Sequence, residues 1–454
     1  NPLTMQAMVM KDIFSRTNST KTILDIEASL ARVQASLGII PRFAAEEITR
    51  KADIKNIPQD ILKEEMHKVG HPLVALINVW VRSMENNAGE YLHYGATTSD
   101  IYDTMHVLHL RSAADILLND LIEIENILLD MAEKHKNTVM VGRTLGQHAL
   151  PITFGLKAAK WAAENRRNIR RLKDCMVRIN SGILSGAVDT YAGLGERAFE
   201  TEELLMKELG LGPPEPVGWH GDRDKFVEFG NTVALIGMTF GKIGLNLFLL
   251  QSTDLGEVEE SMVSTSVGSS TMPQKSNPRR SRILVILSRE IRRHVEVLQD
   301  WMAPVYERDQ ISHEGQFKEI CIKADTLLKT AKELLRNLIV KPDSMLLNLN
   351  KTDGLIMSEK VMFLLEERMG KHTAHHVVRK IAMQASGNNI SFKNALLENP
   401  EVRKCIPEEE FDIILDPRNY TGLSEQAVDR TIEAIKRVRA NEPSFEYEGH
   451  IPGH

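Results

Sequence analysis

The distribution of proline constrains the fold of this chain more than any other feature of its sequence. Only 17 of the 454 residues are proline, and none occurs within 73–150, 152–212, 217–272, 305–341 or 343–398. Proline removes a backbone N–H and clashes with the preceding turn, so long windows without it leave room for long helices. The chain therefore predicts helices well above the usual length of three to four turns.

Two of these windows carry apolar patterns that indicate packed helices. Apolar side chains repeat at spacings of four and three, as on one face of a bundle helix, at Leu110, Ala114, Leu117, Leu121, Ile124, Leu128 and Met131. The segment 226–253 is apolar around most of its circumference, which predicts burial on nearly all sides. Alternating runs with Asn-Gly or Asp-Gly turns are absent from the sequence, so the predicted fold class is all-α.

Changes in composition predict three regions along the chain. An N-terminal helical domain is expected over 1–93 and a central long-helix bundle over 94–340. A C-terminal helical domain and tail is expected over 341–454, where shorter segments are broken by Asn, Asp and Gly.

Charge and composition exclude several kinds of partner. Lys and Arg number 56 and Asp and Glu 62, giving a net charge of −6 without the basic excess of a nucleic-acid binder. The apolar stretch 233–250 carries Lys242, and a charge there is costly in lipid, so we interpret it as a core helix rather than a membrane span. We therefore expect a small-molecule substrate and neither nucleic acid nor membrane as a partner.

The cysteines and the start of the chain point to a reducing compartment. Cys175, Cys321 and Cys405 lie far apart and form neither a disulfide framework nor a zinc-site spacing. The first residues show no charged segment followed by an apolar run, so no signal peptide is visible. The predicted location is cytoplasmic.

The segment 268–278, Gly-Ser-Ser-Thr-Met-Pro-Gln-Lys-Ser-Asn-Pro, is the strongest chemical signal in the sequence. Glycine and two prolines predict a loop between long helices. Its hydroxyls, one ammonium and one carboxamide could remove a proton and hold an anion. A plain surface linker rich in serine and proline is the structural alternative.

Two further segments place polar groups near helix boundaries. In 93–100, three hydroxyls and Asp100 precede the stripe-bearing helix, where they could cap the helix or bind a carboxylate. In 142–151, Arg143, Gln147 and His148 form a polar break that we expect between two apolar helices. His148 and His71 could each be structural or catalytic.

These three segments, in this order, resemble the signature regions of the fumarase/aspartase superfamily. The third matches G-S-S-x-M-P-x-K-x-N-P at every fixed position, and the resemblance covers nearly the whole chain. It is strongest with adenylosuccinate lyases and 3-carboxy-cis,cis-muconate cycloisomerases, the latter also in 218–224 and 416–422. It implies a long-helix central bundle flanked by two smaller helical domains. It also implies a homotetramer whose active sites each take signature regions from three subunits.

The resemblance implies a mechanism as well. Ser269 matches the catalytic base, which removes a proton from the carbon next to a carboxylate. Lys275 and Asn277 match the residues that hold the resulting aci-carboxylate. These side chains complete the acid–base chemistry, so no metal and no organic cofactor is expected.

The resemblance also implies a set of substrate-binding residues. Thr97 and Thr98 match a Thr-Ser pair that grips a carboxylate, with one additional methyl group here. The remaining matches, each to a substrate contact, are Gln147, His71 and Arg308.

One position departs from most lyases of the superfamily. The usual second region reads G-R-T-H, and its His is the general acid or the partner of that acid, whereas this chain has Leu145. His148 is our first candidate for the acid and His71 the second. Alternatively, the leaving group needs little protonation.

The expected activity is β-elimination from a small succinyl-type dicarboxylate to give fumarate or a related acid, as in adenylosuccinate lyase. A carboxymuconate cycloisomerase is the alternative, since Leu145 and His148 favour it. A non-catalytic structural tetramer is a more remote one, and the intact Ser269, Lys275 and Asn277 argue against it.

Overall fold

The computed structural model describes residues 9–261, 272, 276–303, 306–308 and 315–442. The predicted all-α fold class is confirmed, since helices account for most of these residues. They are α1 (Met10–Ile13), α2 (Arg16–Ser36), α3 (Arg42–Lys51), α4 (Gln59–Val69), α5 (Pro72–Val81), α6 (Thr98–Lys134), α7 (Phe154–Ile179), α8 (Ala198–Glu208), α9 (Asp224–Leu250), α10 (Arg279–Gln299), α11 (Gln316–Arg336), α12 (Pro342–Asn350), α13 (Ser358–Met369), α14 (Lys371–Asn388), α15 (Phe392–Leu397), α16 (Pro400–Cys405), α17 (Phe411–Ile414) and α18 (Ser424–Asn441).

Within the described part of the chain, four short strands form two antiparallel pairs. β1 (Val139–Thr144) pairs with β2 (Gln147–Thr153), and β3 (Val258–Glu260) pairs with β4 (Leu338–Val340). The first pair corrects one expectation, because 142–151 is a β-hairpin and not merely a polar break between helices.

The five longest helices of the central region, α6, α7, α9, α10 and α11, share the largest apolar core, which α18 joins through Val428, Ile432 and Ile435. All seven residues of the predicted stripe on α6 are buried. A second core lies among α2–α5 and the first turns of α6, and a third lies among α13–α17. The boundaries at 93 and 340 stay a prediction.

Helix α9 is long and apolar enough to cross a membrane by length and composition, yet it packs inside the bundle. It runs antiparallel to α10, since an added Cβ at Gly230 would meet Leu298 and one at Gly244 would meet Leu284. The expected burial on nearly all sides is wrong within a single chain. Five apolar residues of α9 remain exposed. Four of them share one face, namely Leu235, Met238, Leu245 and Leu249, and the fifth is Phe248.

The contact of α9 with α10 requires glycine at its centre. An added Cβ at Gly241 would lie 2.5 Å from the Ser288 Cβ, whereas one at Gly387, near the end of α14, would meet nothing within 4 Å. We expect Gly241→Ala to lower the free energy of unfolding by about 1–3 kcal/mol through overpacking. The matched variant Gly387→Ala should leave it equal or slightly higher. Thermal denaturation of both variants checks this, and equal melting temperatures would contradict the packing account.

Buried ion pairs join distant helices in a way that the stripe alone did not indicate. Glu125 of α6 is fully buried and pairs with Arg166 of α7 and Arg439 of α18. Breaking such a pair leaves an uncompensated charge in the interior, which is strongly destabilising. These contacts fix α18 against the central bundle.

Candidate active site

The bundle has two ends that carry different chemical groups. The cap end comprises the start of α6 (Thr97–Asp100), His220 and Arg308. The hairpin end comprises the β1–β2 hairpin, Glu257, Asn348 and the start of α10. Helix α6 has 37 residues, so its ends lie about 55 Å apart at 1.5 Å per residue.

At the cap end, Asp100 and Thr97 form a capping box. The Thr97 backbone N–H donates to Asp100 Oδ2 at 2.8 Å, so the predicted cap is confirmed. Gly95 precedes it with φ 77°, and an added Cβ there would lie 2.6 Å from the Gly193 carbonyl oxygen. Only glycine satisfies this close approach and this backbone conformation together.

Arg308 lies against the first residues of α6. Its Nη1 donates to Thr97 Oγ1 and to Ser99 Oγ, each at 3.1 Å. The structure thus brings together two of the predicted substrate-binding residues, Thr97 and Arg308, and adds Ser99, which sequence reasoning missed. Hydroxyls, a guanidinium and the positive end of a helix dipole are a combination that favours a carboxylate.

A buried charged network lies behind this site. His220 bonds Asp103 Oδ2 through Nδ1 and Asp100 Oδ1 through Nε2, each at 3.0 Å. Arg223 donates to Asp103 Oδ1 at 2.8 Å. Burial alone would raise the pKa of Asp103, but His220 and Arg223 outweigh it and hold that pKa below its ordinary value.

At the hairpin end, a two-residue turn links β1 to β2. Leu145 and Gly146 both have positive φ, 51° and 78°, and the Leu145 side chain is fully exposed. Positive φ is uncommon for a residue such as leucine, so this turn puts an apolar side chain at an unfavourable position. The exposed Gln147 follows Leu145 and Gly146 on the same hairpin.

A buried glutamate anchors the hairpin. Glu257 accepts two hydrogen bonds from Arg143, at 2.6 and 3.0 Å, and one from Asn348 at 2.8 Å. Neither Glu257 nor Asn348 lies in a signature segment, and no local pattern in the sequence marks them. Their pairing with Arg143 depends on the fold.

His148 lies opposite Arg143 in the hairpin register. Its Nδ1 is buried with no hydrogen-bond partner in the described part of the chain. Burial lowers the pKa of His148, Arg143 and Lys351 lower it further, and Glu257 opposes them. The imidazole is therefore mainly neutral at neutral pH.

The other predicted residues have varied placements. His71 caps α5, where its Nδ1 accepts from the Val74 backbone N–H at 3.4 Å. Thr98 is the first residue of α6, and Asn277 precedes Pro278 at the start of α10. Ser269 and Lys275 lie outside the described residues. Within those residues no group of three His, Cys, Asp or Glu side chains is arranged to hold a metal ion.

Family models match most of the chain. The model described as "Lyase" matches residues 3–292, and the model described as "Adenylosuccinate lyase C-terminus" matches residues 354–431.

Individual proteins resemble the chain over nearly its full length. An adenylosuccinate lyase of Methanocaldococcus jannaschii is 40% identical, over 95% of this chain and 94% of its own. An N-acetyl-S-(2-succino)cysteine lyase of Dickeya dadantii is 37% identical over 93% of each chain. The crystal structure of 3-carboxy-cis,cis-muconate lactonizing enzyme from Pseudomonas putida superposes with a TM-score of 0.87 at 30% identity, covering 95% of this chain and 97% of its own.

These matches confirm the family that the three signature segments predicted, and the structural match extends to the helical bundle. The chain belongs to the fumarase/aspartase superfamily, as a lyase of the succinyl-eliminating type.

Proposed function

We propose that this protein cleaves a 2-substituted succinate into fumarate and a free leaving group, by breaking a C–N bond as adenylosuccinate lyases do, or a C–O bond. The observation that carries the proposal is the placement of Arg308 against Thr97 and Ser99, which supports binding of a carboxylate at the start of α6. A substrate with two carboxylates needs two binding sites. The start of α6 would hold the carboxylate that does not react, and other residues must hold the carboxylate next to the reacting carbon.

The reacting carboxylate is assigned to the signature loop. Ser269 acts as an alkoxide, so its hydroxyl first releases its own proton to solvent. Its oxygen then takes the proton from the carbon next to this carboxylate, and the electron pair of that C–H bond moves onto the carboxylate as an aci-carboxylate. Lys275 and Asn277 stabilise that charge. The pair then returns to form the double bond, and the bond to the leaving group breaks with its electrons leaving on the nitrogen or oxygen. The assignment of Thr98, Gln147 and His71 as substrate contacts remains part of the proposal.

A thiol leaving group is the second candidate, and the hairpin favours it. An amine or alkoxide usually needs a proton as it departs. Leu145 has none to give, and His148 is mainly neutral because burial lowers its pKa. A thiolate leaves more easily, since its conjugate acid has a pKa of about 8.5. The Dickeya dadantii relative carries a succinylated thiol in its name.

Substitution of His148 distinguishes an amine leaving group, which needs a proton donor, from a thiol leaving group, which does not. If His148 supplies the proton, His148→Asn should lower kcat for a succinyl amine by about 10²-fold or more and raise KM little. A succinyl thioether should be affected far less. Loss of thermal stability with unchanged rates on both substrates would instead make His148 structural, and His71 would be tested in the same way.

A panel of substrates tests the reaction itself. N-succinyl, O-succinyl and S-succinyl compounds and carboxymuconate are each incubated with the protein, and products are followed by proton NMR. The proposal expects fumarate from at least one succinyl compound. A lactone from carboxymuconate, with no fumarate from any succinate, would support the cycloisomerase alternative and contradict the proposal.

We also propose a homotetramer, supported by the exposed face of α9. Leu235, Met238, Leu245 and Leu249 are spaced by three, seven and four residues, with Lys242 completing a heptad pattern. An apolar seam with this spacing is typical of helices that pack against a second bundle. Burial of this seam against further copies of the chain would complete the apolar surroundings expected for α9.

The separation of the two ends supports active sites shared between subunits. The described residues flanking the signature loop lie at the hairpin end, where Glu260 accepts from the backbone N–H of Arg280 at 2.8 Å. Helix α9 spans the distance to the cap end, which is about 40 Å for 27 residues. The eight residues from Ser261 to Ser269 reach at most about 28 Å. Ser269 therefore needs the cap end of another chain.

We place this activity in the cytoplasm. The three cysteines are free, and Cys175 and Cys321 are buried. Burial raises the pKa of the Cys175 thiol to about 12, so it is a poor nucleophile.

A further inference from the structure

His220 is buried to 1% exposure, and both of its ring nitrogens contact carboxylates. A neutral imidazole has only one N–H donor, whereas an ionised carboxylate can only accept. Two carboxylate partners at 3.0 Å therefore indicate that both nitrogens carry protons. His220 is an imidazolium held inside the protein.

Asp100 connects this imidazolium to the first turn of α6. Besides His220, its carboxylate accepts from the backbone N–H groups of Thr97 at 2.8 Å, Ser185 at 2.8 Å and Gly186 at 3.2 Å. Four donors thus converge on one buried carboxylate. The orientation of Asp100 fixes the first turn of α6 relative to the loop that contains Ser185 and Gly186.

Asp103 holds His220 from the other side. Arg223 donates to Asp103, and also to the His220 carbonyl oxygen at 2.6 Å, while its guanidinium carbon lies 5.1 Å from the Trp301 ring centroid. These contacts hold the imidazolium in place while it bonds Asp100. The contacts therefore form a continuous series of alternating charges, from Arg223 through Asp103 and His220 to Asp100.

We propose that His220 is a positioning residue for this lyase, which holds Asp100 so that the start of α6 presents Thr97, Thr98 and Ser99 to a substrate carboxylate. This inference rests on the proposed function. Without the imidazolium, Asp100 loses its charged donor, and the buried carboxylate must rotate or take up a proton. Either change releases the backbone N–H of Thr97 and loosens the site that Arg308 contacts.

Asp100 and Asp103, the two carboxylates that bond His220, govern how its charge depends on pH. Asp100 and Asp103 of α6, Asp189 and Tyr191 of the adjacent loop, Glu202 of α8 and Arg223 all face this network. Burial opposes the imidazolium, but Asp100 and Asp103 outweigh burial and raise the pKa of His220 from 6.5 to about 9. The imidazolium is present at neutral pH and is lost as the pH rises through about 9, so substrate binding should weaken there.

Two variants test the role of His220. Asp103→Asn keeps the shape of a partner but removes its charge, so the pKa of His220 should fall by about one unit or more. The alkaline limb of kcat/KM should then move to lower pH by the same amount. His220→Gln should remove that limb and raise KM about tenfold or more, with a smaller change in kcat. A substrate that does not titrate near pH 9, such as a thioether of succinate, is used throughout.

Glu202→Gln is the matched control, because Glu202 is buried nearby but bonds the Leu184 N–H and not His220. It should leave the alkaline limb where it is. If His220→Gln does not fold, the Asp103→Asn profile decides alone. Provided that the wild type is active, two results together would contradict the role of His220. The alkaline limb of kcat/KM would stay at the wild-type pH in Asp103→Asn, and the KM of His220→Gln would equal that of the wild type.

Failure of the proposed function gives a different result. In that case the wild type produces no fumarate from any succinate. Calorimetric binding of succinate to the wild type and to Asp103→Asn, across the same pH range, then replaces the kinetic profile. Equal affinities at every pH would overturn the positioning role, and a weakening that begins at lower pH in Asp103→Asn would support it.

Discussion

Ser269→Ala is expected to lower kcat by a factor of at least ~10², the usual lower bound for a lost general base. The proton next to a carboxylate is weakly acidic, so its removal needs an acceptor within hydrogen-bond reach. We propose that Ser269 of the signature loop is this acceptor. Steady-state kinetics on the best succinyl substrate, with light scattering to confirm assembly, measures the effect.

Ser270→Ala is the matched control, since it removes the neighbouring hydroxyl of the same loop. Its kcat should stay within a few-fold of the wild type. Near-normal turnover by Ser269→Ala would remove Ser269 from the mechanism. A comparable loss in both variants would point to disruption of the loop rather than to a specific base.

Mixing two inactive variants should restore activity, which is the second large effect that we expect. The described residues that flank the signature loop lie at the hairpin end, and Arg308 lies at the cap end. In the proposed tetramer, a site therefore takes Ser269 and Arg308 from different chains. When Ser269→Ala and Arg308→Ala subunits are dissociated and reassembled together, roughly a quarter of the sites should contain neither substitution. Turnover well above that of either variant alone is the expected result.

Light scattering and a double variant provide the controls. The wild type should have four times the mass of the 51.1 kDa chain. Mixing either single variant with the double variant Ser269→Ala/Arg308→Ala should restore much less activity. A fully active monomer, or no restoration from tetramers shown to have exchanged subunits, would contradict shared sites.

Local patterns predicted much of the fold. The proline-free window 73–150 contains the 37-residue α6, and its stripe from Leu110 to Met131 is buried as expected. Heptad spacing could be interpreted from the sequence alone because it places these side chains on one face of the helix, and that face packs into a single core. The resemblance in the signature segments likewise predicted the family, which the comparisons confirm.

Features that depend on distant contacts were missed. The β1–β2 hairpin has Leu145-Gly146 as its turn, a pair without the Asn-Gly signal, so its sequence did not indicate strands. Glu257 looks like any acidic residue until the fold places it beside Arg143 and Asn348. The burial of α9 was overestimated because the apolar composition of a helix does not show which of its faces meet the rest of the same chain.

His220 shows the same limit at the candidate site. The segment 218–224 resembles cycloisomerases, but nothing near it in sequence indicates a carboxylate partner for His220. Asp100 and Asp103, its two partners, lie more than a hundred residues earlier. The spacing of three between them puts both on one face of α6, which is visible in the sequence only once their partner is known.

Proton NMR of the purified protein with 2-substituted succinates tests the central claim most directly. The account predicts that the olefinic signal of fumarate appears in step with the free leaving group, mole for mole. It predicts that the same sample prepared with Ser269→Ala shows neither signal on the same timescale. Release of the leaving group without fumarate, or no product from any succinate at saturating concentration, would contradict elimination as the function of this protein.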